Sequence, residues 1–74
     1  MLQVRMFQHH RQRFAGTARQ VVLPAQSGEL SVLEYHAPML CALASGAIQI
    51  DDAAFMVRGG LARVDRNLVT IMAR

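Results

Sequence analysis

The sequence predicts an all-β domain of two packed layers, built from about eight to ten short strands, and three observations carry that prediction. Apolar residues recur with period two along most of the chain, and turn formers fall at short intervals. No window keeps a period-3.6 stripe over helical length, which limits helices to a turn or two. A chain of 74 residues, 53% of them hydrophobic, is enough for one domain spanning residues 1–74. A domain of that size buries only about 60% of its unfolded-state surface, so it is expected to lean on a partner.

Each element follows in order. Leu2, Val4 and Met6 alternate with Gln3, Arg5 and Phe7 and predict a first strand with one face inward. Gly16 reads as a break between a strand around Arg11 to Ala15 and another from Ala18 to Leu23. Pro24 lacks the N–H that a central strand needs, so Ala25-Gln26-Ser27-Gly28 reads as a connection to a strand from Leu30 to Leu33. Pro38 then blocks a ladder and biases Ala37 toward an extended backbone. Ile48 and Ile50 flank Gln49, and Asp51-Asp52 predicts a tight hairpin into the strand that holds Phe55 and Val57. Gly59-Gly60 marks a bulge or a close approach of two backbones before Ala62 and Val64. Asp65-Arg66-Asn67 predicts another hairpin turn, with Asn67 tolerating a left-handed backbone, and Val69, Ile71 and Ala73 form the last inward face.

Composition narrows function. No stretch approaches the ~20 uninterrupted apolar residues that span a bilayer, and Arg5, Arg11 and Arg13 interrupt any signal-peptide core, so the expectation is a cytosolic chain. The single cysteine, Cys41, fits a reducing compartment and reads as a small buried thiol. Charge falls in blocks: four arginines and no acid in residues 1–28, four acids and no base in 29–52, then Arg58, Arg63, Arg66 and Arg74 against Asp65. Two signs in separate blocks suit a protein-facing surface better than a uniform nucleic-acid stripe. Phe7, Phe14, Phe55 and Tyr35 are scattered rather than interleaved with the arginines, and the three phenylalanines fit core or partly buried positions.

No catalytic or cofactor constellation emerges. His9, His10, His36 and Cys41 match no zinc spacing, and the simpler reading places the histidines at the surface or in turns. No nucleophile-elbow sequence surrounds Cys41, and Gly59-Gly60 is not followed by Lys and Ser or Thr. The segment from Val21 to Gly46 is the remaining candidate. It places Glu29 beside Gly28 in a turn, and His36, Met39 and Leu40 at a sandwich edge or end. On composition alone it reads as an ordinary strand-connecting loop; as a loop on a rigid scaffold it also reads as a recognition surface.

That segment, Val21-Val22-Leu23-Pro24-Ala25-Gln26-Ser27-Gly28-Glu29-Leu30-Ser31-Val32-Leu33 followed by His36-Ala37-Pro38-Met39-Leu40, resembles the epsilon subunit of F-type ATP synthases. Phe14-Ala15-Gly16 upstream, and Gly46, Ile48, Ile50, Gly59-Gly60-Leu61, Val64 and Asn67-Leu68-Val69-Thr70-Ile71-Met72-Ala73 downstream, continue the resemblance in order over essentially the whole chain. It implies a flattened antiparallel β-sandwich of two sheets and a non-catalytic rotor subunit without cofactor. Such a subunit links the gamma subunit to the c-ring and supports coupling of proton or Na⁺ transport to ATP synthesis. By position, Gln8, His36, Ala37, Pro38, Met39 and Leu40 would face gamma, and Gln26, Ser27, Gly28 and Glu29 the c-ring. The c-ring loops of the family carry Arg, so the Glu29 carboxylate would make charge-assisted hydrogen bonds there. The implied location is peripheral, on the cytoplasmic face of the cell inner membrane, with membrane association only through the complex.

The departures are specific. Glu34-Tyr35 stands where the family has Pro-Gly, Cys41 replaces a Thr, Ser45 replaces a Pro, and the Asp51-Asp52 hairpin is short. Typical members continue into a C-terminal helical hairpin, whereas this sequence stops at Arg74, as a short variant or a fragment, so neither an inhibitory function nor an ATP site is expected. The alternatives are a stand-alone β-sandwich adaptor and, less well supported, a basic nucleic-acid-binding module.

Overall fold

The computed structural model describes residues Met1–Arg74 and contains only strands and their connections. The strands are β1 (Leu2–Gln8), β2 (Arg11–Ala18), β3 (Val21–Ala25), β4 (Gly28–Val32), β5 (Met39–Ile50), β6 (Ala53–Asp65) and β7 (Leu68–Ala73). There are seven rather than eight to ten, because β5 and β6 are 12 and 13 residues long and β6 runs unbroken through the Gly59-Gly60 pair. The strands form one continuous sheet in the order β2-β1-β7-β6-β5-β3-β4.

The sheet folds over on itself along a crease in β5 and β6. The register of these two strands is unbroken from Met39↔Val64 to Ile50↔Ala53, yet the inward phase changes in both. Leu43 is buried on one side of the crease and Ile48 and Ile50 on the other; in β6, Val57 gives way to Ala62 and Val64. Odd positions therefore turn into even ones without an inserted residue, and the two halves face each other. Gly59 and Gly60, with φ of 118° and 133°, take backbone conformations that side chains disfavour. A Cβ on Gly60 would strike the Met72 carbonyl oxygen and come within 2.8 Å of the Ala73 Cα. The close approach expected at this glycine pair is thus a contact with β7.

Fifteen buried residues from both halves share one apolar cluster, with Leu2, Met6, Leu23, Ile48, Ile50 and Ile71 the largest side chains fully inside. The alternation expected for β1, β6 and β7 is observed: Leu2, Val4, Met6, Val57, Ala62, Val64, Val69 and Ile71 are all buried. Phe14 and Phe55 meet edge to face with centroids 6.2 Å apart, partly buried against the cluster.

Three expectations change. Gly16 lies inside β2 and pairs with Val4; β2 is an edge strand, where a glycine is tolerated without a break. The chain turns instead at Arg19 and Gln20. Pro24 belongs to β3 and pairs with Glu29, at the place where the β3–β5 register shifts between Val22 and Ala25. The ladder is already interrupted there, so the missing N–H is tolerated. Lastly, not every pair is antiparallel: β1 and β7 run parallel from Gln3↔Leu68 to Gln8↔Ala73. The hairpins at Asp51-Asp52 and Arg66-Asn67 form as tight turns, and Arg66 shares the left-handed conformation of Asn67.

Candidate interaction surfaces

Two groups of candidate residues, at or beside loops, are displayed at separate places. Gln26 and Ser27 form the tip between β3 and β4, closed by the Ala25↔Gly28 pair. This tip lies beside the crease, since the Gln26 N–H donates to the Ala42 carbonyl at 3.1 Å and Ala25 pairs with Leu43. Gln26, Ser27, Gly28 and Glu29 are all exposed. The Glu29 carboxylate has no basic side chain within salt-bridge distance and is open to an outside partner. A Cβ on Gly28 would meet nothing within 4 Å, so its φ of 126°, not lack of room, favours glycine there.

The second group starts at the opposite end of the strands. A turn over Leu33–His36 is closed by the His36 N–H donating to the Leu33 carbonyl at 3.2 Å, and Asn67 Oδ1 accepts from the Tyr35 N–H at 2.7 Å. The amino terminus pairs with Glu34. From this turn His36, Ala37 and Pro38 lead into β5, where Leu40 stands 69% exposed on the outer face and Met39 is half-buried against the core. His36 Nδ1 lies 2.7 Å from the Ala37 carbonyl, a distance that fits an Nδ1–H donating to that oxygen.

Gln8 stands apart from both groups. It is 5% exposed, and its amide nitrogen donates to the carbonyls of Met56 and Arg74, both at 3.1 Å. Its oxygen accepts from Arg13 Nη1 at 2.7 Å, and Arg13 lies over the Phe55 ring. The Arg74 backbone is also tied to the crease, accepting from the Arg58 N–H and donating to the Gly59 carbonyl. In this chain Gln8 ties β1 to the crease and the end of β7.

Neither surface gathers catalytic groups. His9 and His10 are the left-handed tip residues of the β1–β2 hairpin, and no three His, Cys, Asp or Glu side chains come together as a metal set. Cys41 is half-buried opposite Ala62 in β6; desolvation pushes its thiol up, partly opposed by a hydrogen bond from the Ala62 backbone. That direction is opposite to the shift that activates a nucleophilic thiol. No helix is long and apolar enough to cross a membrane.

Two clamps were not visible in the sequence. Asp51 accepts from the N–H groups of Arg19 and Gln20 at 3.0 to 3.2 Å, and Asn67 holds Tyr35. Both join positions about thirty residues apart. The one local signal was the Glu34-Tyr35 departure, which falls at the centre of the held turn.

The profile of the family described as "ATP synthase, Delta/Epsilon chain, beta-sandwich domain" matches residues 1–74. The ATP synthase epsilon chain of a Synechococcus strain is 36% identical over 75 residues, covering 96% of this chain and 55% of the relative. Epsilon chain 2 of Burkholderia orbicola is 38% identical over 66 residues, covering 81% of this chain and 43% of the relative. The chain thus spans about half the length of these relatives. Among solved structures, a chain of the Euglena gracilis mitochondrial ATP synthase superposes with a TM-score of 0.89 over 97% of this chain and 49% of its own length, at 18% identity, a likeness of fold. With the profile matched from the first residue to the last and relatives above one-third identity, the chain belongs to the ATP synthase delta/epsilon β-sandwich family.

Proposed function

We propose that this chain is the β-sandwich of a central-stalk epsilon subunit in an F-type ATP synthase, a non-catalytic rotor part that joins the gamma subunit to the c-ring. The full-length family match carries the reading. The geometry supports it: one apolar cluster carries two groups at and beside loops, the exposed Gln26–Glu29 by the crease and the partly exposed His36–Leu40 leading from the opposite end. A body that must carry torque between two neighbours needs separate contact surfaces on an undeformable core.

On this reading His36, Ala37, Pro38, Met39 and Leu40 meet gamma, with Leu40 as an exposed apolar contact and Gln8 holding the supporting strands. Gln26, Ser27, Gly28 and Glu29 meet the c-ring loops, where the unpaired Glu29 carboxylate would bond an arginine and fix register more than affinity. The complex would hold the chain on the cytoplasmic face of the inner membrane. It would support the coupling of ion flow to ATP synthesis with no chemistry at this domain.

Co-expression with the cognate gamma subunit tests the proposal. A stable complex should co-purify at micromolar concentration, and Leu40→Asp should weaken it at least about tenfold by placing a charge in a desolvated contact. A wild-type chain that fails to bind gamma would overturn the reading.

A further inference from the structure

Tyr35 is the most exposed of the large hydrophobic side chains, at 85%, and it sits at a φ of 63°. A bulky residue in the left-handed region is a conformational outlier, and such outliers persist only where their surroundings hold them. The ring does not compensate, because it is bathed in solvent. What holds the backbone is a pair of hydrogen bonds: the His36 N–H to the Leu33 carbonyl, and the Tyr35 N–H to Asn67 Oδ1. Asn67 is itself fixed in the β6–β7 turn, with its own carbonyl accepting from the Gln3 N–H at 2.7 Å. The brace therefore runs from β1 through Asn67 to the turn.

We propose that Asn67 is the positioning residue of a partner-contact tip over Leu33–His36, and that Tyr35 is the side chain this tip presents. The inference rests on the rotor reading for the partner's identity, because the tip leads directly into His36–Leu40 and so meets the same gamma surface. Leu33, 54% exposed, stands in the same turn. Together they fit a shallow apolar slot with an acceptor for the phenol hydroxyl. A tyrosine offers a large, stiff contact with few torsions to freeze, and holding its backbone in advance lowers the ordering cost of binding. The strained conformation is thus kept where it shapes a contact.

The test separates positioning from contact. Asn67→Gly keeps the left-handed turn and the backbone bond to Gln3 but removes the acceptor, whereas Asn67→Asp restores an acceptor at the same place. Amide hydrogen exchange and ¹⁵N relaxation on the free protein should show the Tyr35 and His36 amides loosened in Asn67→Gly and returned close to wild type in Asn67→Asp. Equal behaviour of wild type and Asn67→Gly would overturn the positioning role, whatever binds. Against the cognate gamma subunit, Asn67→Gly should weaken binding about five- to tenfold with rescue by Asn67→Asp, as loss of one hydrogen bond predicts. Tyr35→Gly should keep the turn ordered yet lose about tenfold or more, isolating the ring. If gamma binds wild type and Tyr35→Gly equally, the contact role fails while the rotor reading stands. If gamma binds neither, the rotor reading and the contact role fail together, and the exchange data alone decide the brace.

Discussion

The crease and the opposite end of the sandwich are stabilised by different means. At the crease, shape is set by room that must stay empty: Gly60 lies against the β7 backbone, and the buried Gln8 amide joins Met56, Arg74 and Arg13. At the far end, solvent-exposed side chains reach across to backbone N–H groups, Asp51 to Arg19 and Gln20, and Asn67 to Tyr35. The crease relies on a buried amide and a tight backbone contact, while the far end relies on hydrogen bonds open to solvent. Damage at the crease should therefore unfold the domain, and damage at the far end should loosen a loop and spare the fold.

Gly60→Ala would strain that contrast most. The new methyl would have to displace β7 backbone while adopting a φ that alanine disfavours, and we expect a loss of at least about 3 kcal/mol, read as failure to fold or a collapse of the urea midpoint. Stability near wild type would show that β7 can move, and the crease would then be less rigid than described. Gln8→Leu comes next. It leaves the carbonyls of Met56 and Arg74 and the Arg13 guanidinium without their shared partner, at a cost of about 2–3 kcal/mol in chemical denaturation. Asp51→Ala is the smallest, about 1 kcal/mol, because water replaces the carboxylate at the exposed N–H groups of Arg19 and Gln20. A larger loss from Asp51→Ala than from Gln8→Leu would reverse the comparison.

What could be read from the chain follows the same division. The strands β1, β6 and β7 were legible because one face of each is buried, so period two is written directly into Leu2, Val4, Met6 or Val69 and Ile71. The number of strands was not, because a glycine that ends a strand and one that lets it bend look alike; Gly16, Gly59 and Gly60 all lie within strands. Pro24 misled for a related reason, since its lost N–H matters only where a ladder requires it. The exposure of Gln26, Ser27, Gly28 and Glu29 could be inferred from turn chemistry. The burial of Gln8 could not, because it ends an alternating strand of ordinary appearance and its three partners come from β2, β6 and the chain end. The clamps of Asp51 and Asn67 depend on neighbours that only the folded chain supplies.

The parallel pairing of β1 with β7 has a kinetic corollary. Gln3 pairs with Leu68, so β1 cannot gain its second neighbour until β7 has left the ribosome. The β1–β2 hairpin can only wait, with one edge unsatisfied, during synthesis. Closure is then a late event dominated by distant partners, which places refolding in the millisecond-to-second range of β proteins rather than the microseconds of small helical bundles.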